Sequence, residues 1–392
     1  MQLSRRKVLG CGLAQAAAAG AAPGFDPAQF DRARVLSDAG RFLQQKPVTV
    51  TASRGPRSAG GQHDFFSEGD YWWPDPKHPE GPYIRRDGMT NPANFVDHRD
   101  AMMRLSVEAA ALTAAWKISG HKKYAEHAAR HLRAWFVDEA TRMNPHLEYA
   151  QAIHGRSKGR GTGIIDTIHL VEVARAVPLV AEAGALKEPE FSTVKRWFAD
   201  YLRWMTTSAN GIEERDAKNN HGTCFAMQVA AFARLTGQRE LMDEVARRFE
   251  QVIVPVQIAP DGSQPLEISR TKPYGYCLFN LEAMAVLCQL VSEQGVASGT
   301  GRNLWRFETS DGRGIRKALE FLFPYMADKK RWPHPPDVRY FEQWPMRQQA
   351  LLFGGRAYGH QPYLDLWKKL PGSSTVPEVV RNYFIRQPAI WI

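Results

Sequence analysis

The sequence predicts an all-α fold, an (α/α)n toroid of stacked helical hairpins, and three observations predict it. Amphipathic helices begin at Asp97, where Met102, Leu105, Ala109, Leu112 and Trp116 recur at the three-and-four spacing that lines up one apolar face. Helices end on glycine and restart at once: Ala115-Trp116-Lys117-Ile118-Ser119-Gly120 precedes a helix over His121 to Phe136, and Ala233-Arg234-Leu235-Thr236-Gly237 precedes one over Gln238 to Phe249. A looser third copy runs through Leu352-Phe353-Gly354-Gly355 to Leu364 and Trp367. Strand-like segments are scarce, Val252 to Ile258 being the one good candidate. The repeats are irregular and the chemically informative residues fall between helices, which favours a closed toroid, where such loops gather at one mouth, over an open solenoid.

Taken from the start, residues 1–22 read as an export signal of twin-arginine type: Ser4-Arg5-Arg6-Lys7-Val8-Leu9, then an Ala-rich stretch to Ala22 with small residues at Ala19 and Ala21 for cleavage. The apolar run before Cys11 is too short for a lipid-attachment site. The expected location is therefore periplasmic or secreted, with residues 23–392 forming a single toroid domain. No later segment reaches the roughly 18 uninterrupted apolar residues of a membrane span. Residues 47–94 are rich in Gly, Pro, Asp and aromatics without helical or strand period, as in a lid-type loop.

Composition bounds the partners. Of 392 residues, 44% are apolar, enough for a large core without staples or metal, and no cofactor is expected. The formal charge of +10 is scattered rather than run together, a broad positive field that suits a polyanionic ligand. Nucleic acid is not expected, since no zinc-finger, basic-zipper or aromatic-sheet motif is present. A monomer or weak homo-oligomer is the expected state. Cys224, Cys277 and Cys288 have no metal-type spacing; all three read as buried thiols, with a Cys224–Cys277 bridge open if those segments meet. His127 and His131 share a helix face but lack a third ligand, so no metal site is assigned.

Three segments carry candidate chemistry. Lys218-Asn219-Asn220-His221-Gly222-Thr223 opens an apolar helix, whose N-terminal amides favour an anion; one of the asparagines also suits the N-cap. Arg270, Tyr274 and Tyr276 place a guanidinium and two phenols ahead of another helix. The stretch from Leu147 to Thr167 has glycines but neither a preceding strand nor a Gly-Lys-Ser/Thr signature, so it reads as a loop presenting Gln151 and Arg160 rather than a nucleotide cradle. Glu213, Glu214 and Asp216 read as a solvated turn rather than a glycosidase pair.

Four ordered stretches together resemble the alginate-lyase superfamily of polysaccharide lyases. They are Tyr71-Trp72-Trp73-Pro74-Asp75-Pro76 with Tyr83-Ile84-Arg85-Arg86-Asp87-Gly88; Gly159-Arg160-Gly161 with Gly163-Ile164-Ile165-Asp166-Thr167; Asn219-Asn220-His221-Gly222-Thr223; and Glu267-Ile268-Ser269-Arg270-Thr271 with Tyr276 and Phe279-Asn280-Leu281-Glu282. The resemblance spans about residues 65–290, with no matched motif beyond it. It departs at Gly275, where a His is expected, and at Cys224, where an aromatic is usual. It implies a deep cleft in which Asn220, His221 and Arg270 bind a uronate carboxylate and Tyr276 handles protons.

The implied reaction is β-elimination on an anionic 1,4-linked polyuronate such as alginate, polymannuronate or glucuronan. A carboxylate beside C5 resists a second negative charge, so fixed donors must offset it. Arg270 is expected to lower the Tyr276 pKa; Tyr276 then serves as the acid, with either Tyr276 itself or His221 as the base. Trp72, Trp73, Tyr83, Arg85 and Arg86 are expected on a lid, aromatic faces for sugars and guanidinium groups for carboxylates; the other reading is a surface loop packing its tryptophans inward. The rivals are an unsaturated-uronyl hydrolase on a similar toroid and a non-catalytic polysaccharide-binding protein.

Overall fold

A computed structural model describes residues 25–292 and 301–392. The expected export signal lies outside the described residues. Sixteen α-helices are found among the described residues, against four strands of two to four residues. The predicted hairpins are present. The Asp97–Ser119 helix stops at Gly120, whose φ of 72° is left-handed and costs a glycine nothing, and Lys122–Phe136 folds back on it. The Asn220–Thr236 helix stops in the same way at Gly237, with φ 76°, before Arg239–Arg248.

Two details differ from the pattern-based expectation. The third hairpin turns at Gly359, while Gly354 and Gly355 lie inside the Gln349–Tyr358 helix. Their role is close packing: a Cβ on Gly354 would meet Leu319 Cδ1 at 2.7 Å, and one on Gly355 would meet Leu364 Cδ2 at 2.6 Å. The Val252 to Ile258 segment is not a strand. It continues the preceding helix through a π-turn, Phe249–Ile253, and the short helix Val254–Gln257. Phe249, Ile253 and Val254 share a helical face and are buried, so packing overrides the β-preference of the branched residues.

Helices pack in succession: Asp97–Ser119 on Leu170–Glu182, that on Asn220–Thr236, that on Pro273–Ser292, that on Gln349–Tyr358, and that on Gln361–Lys369. The ends meet. Phe25 and Phe30 each lie 5.7 Å, ring to ring, from Trp367 of the last hairpin, and Arg347 Nη1 reaches Asp31 Oδ1 at 2.7 Å. The ring thereby closes into an α/α toroid around one connected apolar cluster that runs from Val35 to Trp391. Pro273–Ser292 is long and apolar enough to cross a membrane, yet 78% of its apolar window is buried, as befits the central helix of such a core. Cys224, Cys277 and Cys288 are buried free thiols. His127 faces the Gln45 carbonyl, 2.8 Å from Nε2.

Strands matter only near the mouth. Phe66–Glu68 pairs in parallel with Tyr149–Ala152, and Trp72–Trp73 pairs antiparallel with Ile84–Arg85, setting Trp72 opposite Arg85. The stretch expected as an aperiodic lid thus contains a small hairpin pinned to the body.

Candidate active site

The helix over Asn220–Thr236 begins where Asn219 caps it, the Asn219 side chain accepting from the His221 amide. Asn220 and His221 therefore leave the first turn at one end of the toroid. Glycine at 222 is needed there, because a Cβ would sit 2.1 Å from the Ala217 carbonyl oxygen. Asn220 donates its backbone N–H and its Nδ2 to the two oxygens of the buried Glu267, each at 2.7 Å, which settles which end of the amide faces inward. Burial pushes the Glu267 carboxyl up from its ordinary value, against the pull of those bonds.

His221 Nδ1 lies 2.6 Å from Glu214 Oε1. Glu214 is buried, and Glu213 accepts from the Gly161 amide at 3.1 Å. The expectation of a solvated turn fails for Glu214 alone, since Glu213 and Asp216 are exposed. The short helix Ala209–Arg215 turns Glu214 inward, its Gly211 packing against the Met205 carbonyl too closely for any side chain, and leaves Glu213 exposed at the cleft edge.

Arg270 joins the lid to the body. Its Nε and Nη2 donate to Asp87 at 3.2 and 2.9 Å, and its guanidinium stacks on the Tyr276 ring at 4.3 Å. Burial works against the Arg270 charge, but Asp87 outweighs it and holds the pKa above its ordinary value. Tyr276 Oη meets Tyr71 Oη at 2.8 Å, with Lys272 beside both rings and paired to Glu378 at 2.5 Å. Contrary to the expectation that Arg270 lowers the phenol, burial and then Tyr71 raise Tyr276 well above its ordinary pKa; Lys272 and Arg270 only offset part of this. Burial thus favours the neutral, protonated phenol at Tyr276.

These groups share a cleft of about 360 Å³. It is lined by the predicted Asn219, Asn220, His221, Arg270, Tyr276, Trp72, Arg85, Gln151 and Arg160. Gln151 sits at φ 48°, a left-handed residue inside the Tyr149–Ala152 strand, and its carbonyl and Oε1 hold Arg160 at 3.1 and 2.8 Å. Four predicted residues are absent from the lining. Tyr274 is buried in the core, its hydroxyl donating to the Tyr325 carbonyl and its ring set edge-on to Trp332. Helical phase explains this, since Tyr274 and Tyr276 lie two positions apart and point to different sides. Trp73 donates to the Met89 carbonyl beneath Arg86, so those two support the loop, and Tyr83 packs on His154.

Sequence reasoning passed over three contributors. Tyr71 stood in a quoted motif without a role. Glu214 carried the wrong one. Arg381, in the six-residue helix Pro377–Asn382, had no signal at all, yet it lines the cleft and shares Asp70 with Arg99, both cations 2.8 Å from that carboxylate. Burial opposes the Asp70 charge, but Arg381 and Arg99 keep its pKa low.

A family model described as alginate lyase matches residues 49–332. The chain belongs to the alginate lyase family. Among solved structures, this lyase resembles an alginate lyase from Bacteroides ovatus at 33% identity, covering 93% of this chain and 94% of that one, with a TM-score of 0.79. Alginate lyase A1-III from Sphingomonas species A1 overlaps at 15% identity over 88% and 93% of the two chains, with a TM-score of 0.45. Curated proteins yield no significant match. The enzyme is a polysaccharide lyase, and its substrate class is an acidic polysaccharide. Arg381 lies beyond the stretch that the family model covers.

Proposed function

We propose that this lyase cleaves a 1,4-linked polyuronate of alginate type by β-elimination, with His221 as base and Tyr276 as acid. One observation carries the reading: an imidazole oriented by a carboxylate and a phenol that keeps its proton face the same arginine-lined cleft.

The uronate carboxylate would lie among Asn220, Arg270 and the cleft guanidinium groups, which offset the charge that builds at C5. Asp87 occupies Nε and Nη2 of Arg270, leaving Nη1 for the substrate. With its Nδ1 proton donated to Glu214, His221 offers the Nε2 lone pair, which takes the C5 proton. The C5–H electrons form the C4=C5 double bond while the C4–O bond breaks, and Tyr276 protonates the departing O4. Solvent then returns a proton to the phenolate and removes one from the imidazolium. Tyr71 hydrogen-bonds the phenol and so fixes where its proton points. Glu213 and Glu214 hold the Gly161 amide and His221, tasks other than those of a glycosidase pair.

Incubation with alginate, polymannuronate and glucuronan, followed by ultraviolet absorbance of the conjugated product, tests the proposal. Rising absorbance with falling chain length is expected. Shortened chains without absorbance would mean hydrolysis and overturn it. The reading includes export, supported by the Ser4-Arg5-Arg6-Lys7 leader and checked by fractionating cells that make the full chain.

A further inference from the structure

Trp72 stands between two openings. Arg160, from the cleft, lies 5.9 Å from its ring, and Arg156, which lines a second pocket of about 370 Å³, lies 5.4 Å from it. That pocket is walled by the turn Ile153-His154-Gly155-Arg156-Ser157-Lys158, with Arg57 and Glu68 at its base.

We infer that the His154–Lys158 turn is a distal subsite, binding the carboxylate of a further uronate unit in a chain that leaves the cleft across Trp72; the inference rests on the lyase reading above. The turn is built and held, not loose. Ile153 and Ser157 exchange two backbone hydrogen bonds of 3.0 Å, and Gly155 at φ 69° packs on Pro82. Tyr83 ties it to the lid through its amide on the His154 carbonyl, 3.1 Å, and its own carbonyl accepts from Arg156 Nε at 2.8 Å.

Charge supplies the ligand class. Glu68, the acid in this pocket, is consumed by Arg57 at 2.5 and 2.7 Å and by the Phe95 amide at 2.8 Å. Arg156 is exposed and donates only through Nε, so its two Nη groups make no hydrogen bond or ion pair within the described residues, and exposed Lys158 makes none either. Two exposed cations, one of them set over an indole ring, are the groups that bind an acidic sugar unit.

The test pairs Lys158→Glu, which breaks no internal bond, with Arg156→Ala/Lys158→Ala. Each is assayed by ultraviolet absorbance on a uronate trimer and on chains of six or more, and by calorimetric titration of the hexamer into the Tyr276→Phe protein with and without these changes. Expected is a rise of about tenfold in KM and Kd for long chains in the double variant, flattening of their salt dependence, and trimer kinetics within about twofold of wild type. Equal effects on trimer and hexamer, or none on either, would overturn the subsite. If the unaltered protein yields no absorbing product from any polyuronate, the lyase chemistry fails instead, and hexamer titration still decides the subsite.

Discussion

The hydroxyls of Tyr71 and Tyr276 lie 2.8 Å apart, although 205 positions separate them in the chain. One comes from the lid and the other from the central helix, so the acid proposed above is assembled only when the lid is seated. Burial favours the protonated phenol, and the Tyr71 hydroxyl holds it in place.

Tyr276→Phe is therefore expected to lower kcat by about 10²–10⁴, the span of a lost general acid, while Kd for an oligouronate changes by less than about threefold. Tyr71→Phe should show a smaller loss, again in kcat. Single-turnover kinetics with parallel titrations separate the two effects. Normal kcat in Tyr276→Phe would remove it from proton transfer.

On the proposed mechanism Glu214 acts through His221, whose Nδ1 lies 2.6 Å from its Oε1, not on the sugar. Glu214→Gln should depress kcat by about 10²-fold or more with KM little changed, since the imidazolium formed during turnover loses its carboxylate partner. Glu214→Asp should recover part of that loss. A rise in KM alone would instead make Glu214 a substrate contact.

Asp87 latches the lid to Arg270 and also accepts from Thr271 at 2.9 Å. Burial would raise its pKa, but the Arg270 bond outweighs that and holds it well below the carboxylate range. A depressed acid stabilises the fold above its unfolded pKa and loses that contribution as pH falls through the folded value, so the latch is intact at neutral pH and opens only in strong acid. Asp87→Asn should raise KM for polymer and speed proteolysis within residues 47–94, measurable by limited digestion at neutral pH. An unchanged cleavage rate would show that the loop is held by its own hairpin.

Glu282 is buried in the core, accepting the amides of Gln349 and Ala350 at 2.9 Å each at the start of a helix. Burial nevertheless pushes its pKa up to about 8, and that of Glu172 up to about 7. Raised acids reverse the usual sign: the native state holds a proton that the unfolded chain releases, so stability falls as pH rises from the ordinary carboxylate range to about 8 and then levels. Thermal unfolding across that range should show a smaller decline for Glu282→Gln than for the wild type. Parallel curves would mean that Glu282 is ionised throughout.

Local patterning made much of the molecule legible. The three-and-four spacing from Met102 to Trp116 and the glycines at 120 and 237 specify helices and their ends through contacts within a few residues, and the Asn219-Asn220-His221 cap is local in the same sense. Such signals misled where packing outweighed propensity, as at Val252 to Ile258, or where helical phase mattered, as at Tyr274.

What the sequence by itself determined was the set of helices, the order of the motifs and the residue types available for charge and proton work. The tertiary structure alone decided which of them meet: Tyr71 with Tyr276, Asp87 with Arg270, Arg381 with Asp70. It also turned Glu214 inward and gave Tyr276 a protonated phenol. The physical reason is that a pairing across hundreds of positions, and the desolvation that sets a pKa, depend on ring closure and burial, which no short stretch of chain encodes.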